Sequence, residues 1–268
     1  MLKSISAFML LVGMLSGGCA HTGETATNTE NPSVEISTRT AAVHAVVVGM
    51  EYSKFAGACP GAALDSSRMY ALLSKYANSV VLLQNENATH SAVKDAIQTA
   101  IERSGTGLFI LYYSGHGGSD PFPDTGIEET DGKDEYLCLY DRYMRDNEIW
   151  SMISKAKGRV WILNDCCHSR TMFRSSSIAL TASMPLRATW NEEGPISMQC
   201  WSGCPDDTFS YGSDSGGQFT NALLRQYKEN MTYEDLWKKI EADATLRLYE
   251  KVQRTIMGKD FSGERAFH

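Results

Sequence analysis

The chain has 268 residues, 43% of them hydrophobic, and carries 25 Lys and Arg against 32 Asp and Glu for a net charge of −7. That is enough chain to bury a sizeable core in one large domain. Mild acidity without a basic cluster argues against nucleic acid as the main partner.

Residues 1–19 read as a targeting segment. Lys3 supplies a positive start, Ile5–Leu15 is an apolar run too short to span a bilayer, and Ser16, Gly17 and Gly18 precede Cys19. The pattern resembles a bacterial lipoprotein signal, in which the cysteine is lipidated and becomes the new N-terminus. Ser16 departs from the aliphatic residue usual at that place, and an ordinary secretory signal cut nearby is the alternative. Both imply export. The lipoprotein reading implies an envelope protein anchored at a bacterial membrane, facing periplasm or exterior, with the lipid as its only membrane contact. Residues 20–40 are rich in Thr, Asn, Glu and Ser and bury too little to fold, so they read as a flexible tether or pro-segment. The domain is then 41–268.

Within it, Val43–Gly49 is an apolar run of strand length. Ala62–Tyr76 has helical periodicity through Leu64, Met69, Leu72 and Leu73. Val80–Leu83 is a short strand, and Ser91–Arg103 a helix capped by Thr89 with Ala92, Ala96, Ile97 and Ala100 on one face. Leu108–Tyr113 is a strand, Asp120–Asp134 an acidic loop with two prolines, and Tyr136–Tyr140 an alternating run suited to a hairpin. Asp146–Ala156 is a short helix, Val160–Leu163 a buried strand, and Arg170–Gly194 a long polar loop. Ile196–Trp201 is a further strand and Asp206–Gly217 a second loop. Gln218–Lys228 and Tyr233–Tyr249 are helices, the last opened by Thr232 with Asp235 in capping-box spacing. Solidly apolar strands alternating with helices predict an α/β fold, a mostly parallel sheet covered on both faces.

Six cysteines follow Cys19. Cys138 sits in a strand-like run and reads as a buried small hydrophobe, while Cys200 and Cys204 are close enough to pair if a turn intervenes. Three adjacent residues, Cys166-Cys167-His168, cannot readily wrap one ion, which argues against zinc.

Two segments carry the chemistry. Ile110–Ser119 reads I-L-Y-Y-S-G-H-G-G-S, and Val160–Arg170 reads V-W-I-L-N-D-C-C-H-S-R. Each is a β-rich run that stops at a reactive side chain. His116 lies 51 residues upstream of Cys167, the order and spacing of the caspase type of cysteine protease. In parallel sheets, ligands bind beyond the carboxyl ends of strands, where both residues fall.

These stretches resemble the metacaspases and their bacterial relatives in the caspase-like superfamily. Further matches are Gly57-x-Cys59 with Asp65, Glu129-Thr130-Asp131-Gly132, Asp146-Asn147-Glu148, and Trp201-Ser202-Gly203-Cys204 with Asp206-Asp207. The resemblance implies a three-layer α/β/α sandwich and a Cys-His dyad, with Cys167 as nucleophile and His116 as general base. It implies an oxyanion hole from the Gly117 and Cys167 N–H groups. No third catalytic member stands out. The matching aspartates, Asp65 and Asp165, imply an acidic pocket for Arg or Lys at P1, the residue before the cut bond; Asp207 is a further candidate for its lining, with a solvated Asp206-Asp207 loop as the alternative. For Asp65 a helix N-terminal charge is the plainer alternative. The expected partner is a peptide or protein with a basic P1 residue, and the expected state is a monomer.

No cofactor is required. The matches at Asp131, Asp146 and Asn147 imply an activating calcium, although the Asn147 amide replaces one carboxylate and Arg174 replaces a further acidic position. Arg39, Arg170, Arg174 and Arg187 are candidate self-cleavage sites. A catalytically silent binding module, or a cysteine hydrolase or acyltransferase on the same sheet, are the competing functions.

Overall fold

In the computed structural model, residues 41–54, 56–120, 134–166, 196–203, 212–249 and 251–268 are described. The apolar runs become a six-stranded sheet. Strand β1 (Val43–Gly49) leads through helix α1 (Ala62–Leu73) to β2 (Ser79–Gln84), and helix α2 (His90–Ser104) leads to β3 (Leu108–Ser114). A small antiparallel sheet follows: β4 (Gly117–Asp120), β5 (Asp134–Cys138) and β6 (Tyr143–Arg145). Helix α3 (Asp146–Ile153) precedes β7 (Arg159–Asp165) and β8 (Ser197–Ser202). A hairpin of β9 (Gly212–Ser213) and β10 (Gly216–Gly217) feeds α4 (Gln218–Gln226), and α5 (Tyr233–Glu241) and β11 (Gln253–Met257) close the fold.

The main sheet runs β11-β8-β7-β3-β1-β2, with every pair parallel except β11 against β8. Strand alternation divides the core in two. Val46, Val48, Phe109, Leu111, Val160 and Ile162 face one layer with α2 and α3. Val47, Ile110, Tyr112, Trp161, Leu163 and Trp201 face the other, with α1, α4 and α5. The result is the three-layer sandwich expected from the sequence. Thr89 caps α2 as anticipated, its side chain accepting from the Ala92 N–H, and Cys138 is buried. Cys200 lies inside β8 as a buried thiol without a disulfide, and burial pushes it up to about 12.

Several expected boundaries move. Helix α1 stops at Leu73, and α3 stops at Ile153. The ends of the acidic loop, Asp120 and Asp134, pair across β4 and β5, and the loop expected at Asp206–Gly217 contains β9 and β10. Strands β4 and β11 have no apolar run: Gly117–Asp120 is Gly-Gly-Ser-Asp, and Gln253–Met257 is a half-buried edge.

The helix expected over Tyr233–Tyr249 breaks after Glu241 because Asp243 captures the backbone. Its carboxylate accepts from the Thr245 and Leu246 N–H groups, and from Arg225 and Gln226 of α4. A short polar side chain that satisfies nearby N–H groups competes with the helix ladder. The Arg225 guanidinium beside it holds this carboxyl well below the usual range. Its stabilisation is therefore present above about pH 4 and lost as pH falls further. Asp243→Ala is expected to cost about 2–3 kcal/mol in urea denaturation at pH 7, with the gap to wild type narrowing below about pH 4.

Candidate active site

The sheet reverses its strand order between β1 and β3, so the carboxyl ends of those strands open the crevice where such sheets bind ligands. Gly49, Ser114 and Asp165 align in one register row there. Gly49 is required by the close approach of α1: a Cβ would lie 2.0 Å from Ser66 Oγ. That approach brings Asp65, on the first turn of α1, over the end of β3.

Asp65 is 0% and Asp165 4% exposed. Asp65 Oδ2 accepts from the Ser114 hydroxyl (3.2 Å) and the Gly217 N–H (2.7 Å). Asp165 Oδ2 accepts from the Thr220 N–H (2.9 Å) and hydroxyl (2.6 Å). Asp65 Oδ1 is buried without a hydrogen-bond partner. Burial, and then the negative charge of Asp165, push the Asp65 carboxyl up to about 7. Two carboxylates set together in the dry end of a sheet, one with an orphaned oxygen, are costly to keep ionised without a compensating positive charge. Asp65 thus points inward to β3 and β10, not outward as a charge serving only the helix dipole.

His116 follows β3 by two residues. Its carbonyl accepts from the Cys138 N–H (2.9 Å) and the Tyr113 hydroxyl (2.7 Å). Tyr113 is fully buried, and its hydroxyl also lies 2.9 Å from the Cys138 carbonyl, so one proton is shared between two acceptors. Burial raises this phenol well above its ordinary value, so it stays a donor. At the other end of the residue, His116 Nε2 lies 3.2 Å from the Ala58 carbonyl. A proton on Nε2 would satisfy that contact and leave Nδ1 as the basic nitrogen. Gly117 opens β4 beside it.

Cys166 continues the alternation of β7 into the core and is 1% exposed. Cys167, Asp207, Asp131, Cys19 and Cys204 lie outside the described residues, as do Arg39, Arg170, Arg174 and Arg187. Asp146 and Asn147 open α3, and Asp146 Oδ1 accepts from the Asn147 N–H (2.7 Å). Among the described residues no group of three or more His, Cys, Asp or Glu is placed to hold a metal. Asp146 and Asn147 supply fewer oxygens than the roughly six to eight that calcium takes.

Four contributors carried no signal in the sequence: Thr220, Gly217, Tyr113 and the Ala58 carbonyl. Gly217 and Ala58 act only through backbone groups, and Thr220 partly so, which no side-chain pattern reveals.

A histidine and a buried acidic pair thus lie at the carboxyl edge of a mostly parallel α/β sheet. The caspase domain model matches residues 42–257, and the chain belongs to that family. At family level this makes it a cysteine-peptidase-type enzyme. It is similar to the crystal structure of protein GSU0716 from Geobacter sulfurreducens, with 26% identity and a TM-score of 0.64 over 84% of this chain and 98% of that one. Caspase-1 from Spodoptera frugiperda shares the fold at 13% identity and a TM-score of 0.54, over 85% and 92% of the two chains. No curated protein sequence matches it.

Proposed function

We propose that the protein is a cysteine endopeptidase that cuts after Arg or Lys, with Cys167 as nucleophile and His116 as its base. The observation that carries the specificity is the buried Asp65–Asp165 pair with the orphaned Asp65 oxygen. A guanidinium presents forked donors that match carboxylate oxygens, and its charge offsets a pair otherwise costly to keep ionised.

In this reading His116 draws the thiol proton to Nδ1 while Nε2–H stays on the Ala58 carbonyl. The Cys167 thiolate attacks the P1 carbonyl carbon, and the developing oxyanion faces the Gly117 and Cys167 N–H groups. As the C–N bond breaks, His116 returns the proton to the leaving amine. Water activated by the same imidazole then cleaves the thioester, releasing the new carboxyl end and restoring the thiol. The Ala58 carbonyl serves as an orienting group, so the dyad has a backbone third member. Calcium activation, self-cleavage at the four arginines and anchoring through Cys19 belong to the same proposal.

The test uses reduced protein and fluorogenic peptides with P1 Arg, Lys or Asp, with calcium or chelator, beside Cys167→Ala. Cleavage after Arg or Lys that vanishes in the variant is expected. Cleavage after Asp would overturn the acidic pocket, and no cleavage in any arm would move the reading to a silent binding module. An intact single band after long incubation, equal to the Cys167→Ala control, would remove self-cleavage.

A further inference from the structure

Thr220 is the third residue of α4, is 0% exposed, and meets Asp165 twice. Its hydroxyl also lies 2.7 Å from the Tyr112 hydroxyl. A threonine hydroxyl owns one proton, and an ionised carboxylate only accepts. The assignment follows: Tyr112 Oη–H donates to Thr220 Oγ1, and Thr220 Oγ1–H donates to Asp165 Oδ2. Tyr112 is fully buried on the same face of β3, so the relay is shielded from water throughout.

The same helix end holds the second carboxylate. Helix α4 has Gly217 at its N-cap and no side-chain cap of its own. Asp165, reaching over from β7, takes that place at the Thr220 N–H, while the Gly217 N–H donates to Asp65 Oδ2. Gly217 must lack a side chain for this to work, since a Cβ there would lie 2.2 Å from Asp165 Oδ2. One helix N-terminus therefore fixes two aspartates from two different elements, tying one oxygen of each and leaving Asp65 Oδ1 without a partner.

The geometry points to Thr220 as a positioning residue for specificity, whose hydroxyl, itself held by Tyr112, sets the Asp165 carboxylate against Asp65 to receive a cationic side chain. This rests on the reading of the pair as a pocket for a basic residue. Thr220 does not touch the reacting atoms, so it acts on binding of the basic side chain more than on the chemical step.

The experiment compares wild type, Thr220→Val and Thr220→Ser in the full chain. Valine keeps the shape and the backbone N–H but removes the hydroxyl, whereas serine keeps the hydroxyl. Two readouts are taken: KM and kcat on a P1-Arg peptide, and binding of p-aminobenzamidine, an amidinium probe, to the same proteins carrying Cys167→Ala. Thr220→Val is expected to raise KM and weaken the probe roughly tenfold with kcat within about threefold, and Thr220→Ser to restore both. Unchanged probe binding in a folded Thr220→Val protein would overturn the role of Thr220 while the pocket stands. A wild-type protein that neither binds the probe nor prefers basic P1 residues would overturn the pocket itself, and the role of Thr220 with it. If Thr220→Val does not fold, Thr220→Ser decides: loss of probe binding despite the retained hydroxyl overturns the proposal, and wild-type binding supports it.

Discussion

Asp65→Asn is expected to make the protein more stable at pH 8 and far less active on P1-Arg peptides. The folded-state carboxyl is raised to about 7 from an ordinary value of 3.8. A group raised in this way contributes stability that is complete below about pH 4 and is lost as pH climbs through about 7. A rise of that size corresponds to about 4 kcal/mol as an upper figure, so a gain of a few kcal/mol is the expectation at pH 8, shrinking towards pH 5. Asparagine is nearly isosteric: its oxygen can take the Ser114 and Gly217 donors, and its amide group replaces the orphaned Oδ1. Thermal unfolding at pH 5 and pH 8 measures the gap. A variant that is not relatively more stable at the higher pH would show that the pair is not strained. Removing one charge from a desolvated ion pair costs about 2–5 kcal/mol, so kcat/KM for P1 Arg should drop roughly 10²- to 10³-fold. In the wild type, KM for the P1-Arg peptide should fall as pH rises through about 7, because a cation competes with the proton on Asp65. That dependence should be absent in the variant.

The second large effect concerns His116→Ala. Loss of a general base lowers kcat by about 10²- to 10⁴-fold, and a thiol without its imidazole partner is a few per cent ionised near neutrality. His116 contacts the Ala58 carbonyl and the β5 edge, whereas the acidic pair is held by α4, Ser114 and the β9–β10 hairpin. KM for the P1-Arg peptide should therefore stay within about threefold of wild type. Steady-state kinetics on purified variants separates the two. A His116→Ala protein that kept its kcat would remove His116 from the mechanism, and one that lost only KM would place it in substrate binding. Together the two variants divide the site into a part that recognises charge and a part that moves protons. The Asp65 result reads out on KM and stability, the His116 result on kcat.

The parallel strands of the main sheet, its two-sided cover and the α2 cap were legible from residue order alone. Runs such as Leu108–Ser114 and Arg159–Asp165 are apolar on both alternations, which only a sheet covered on both faces satisfies. His116, Cys167, Asp65 and Asp165 were marked by local motifs, and of these the structure brings Asp65 and Asp165 into one place. Strands β4 and β11 escaped because pairing partners, not side chains, make them strands. The break in the last long helix escaped because Asp243 acts through N–H groups and through Arg225 on another helix.

Residue order was sufficient for the alternation of buried strands and helices, and for a histidine placed just beyond the end of β3. Both arise from neighbours within a few residues, where periodicity and propensity act. It took the folded chain to show that Asp65 meets Asp165, that Thr220 and Gly217 hold them, and that the Ala58 carbonyl faces His116. These are contacts between groups far apart in the chain, several of them backbone atoms that every residue carries. The contacts of Asp65 and Asp165 draw their strength from exclusion of water at the carboxyl edge of the sheet, which exists only once the layers have closed over it, whereas the Ala58–His116 contact stays exposed.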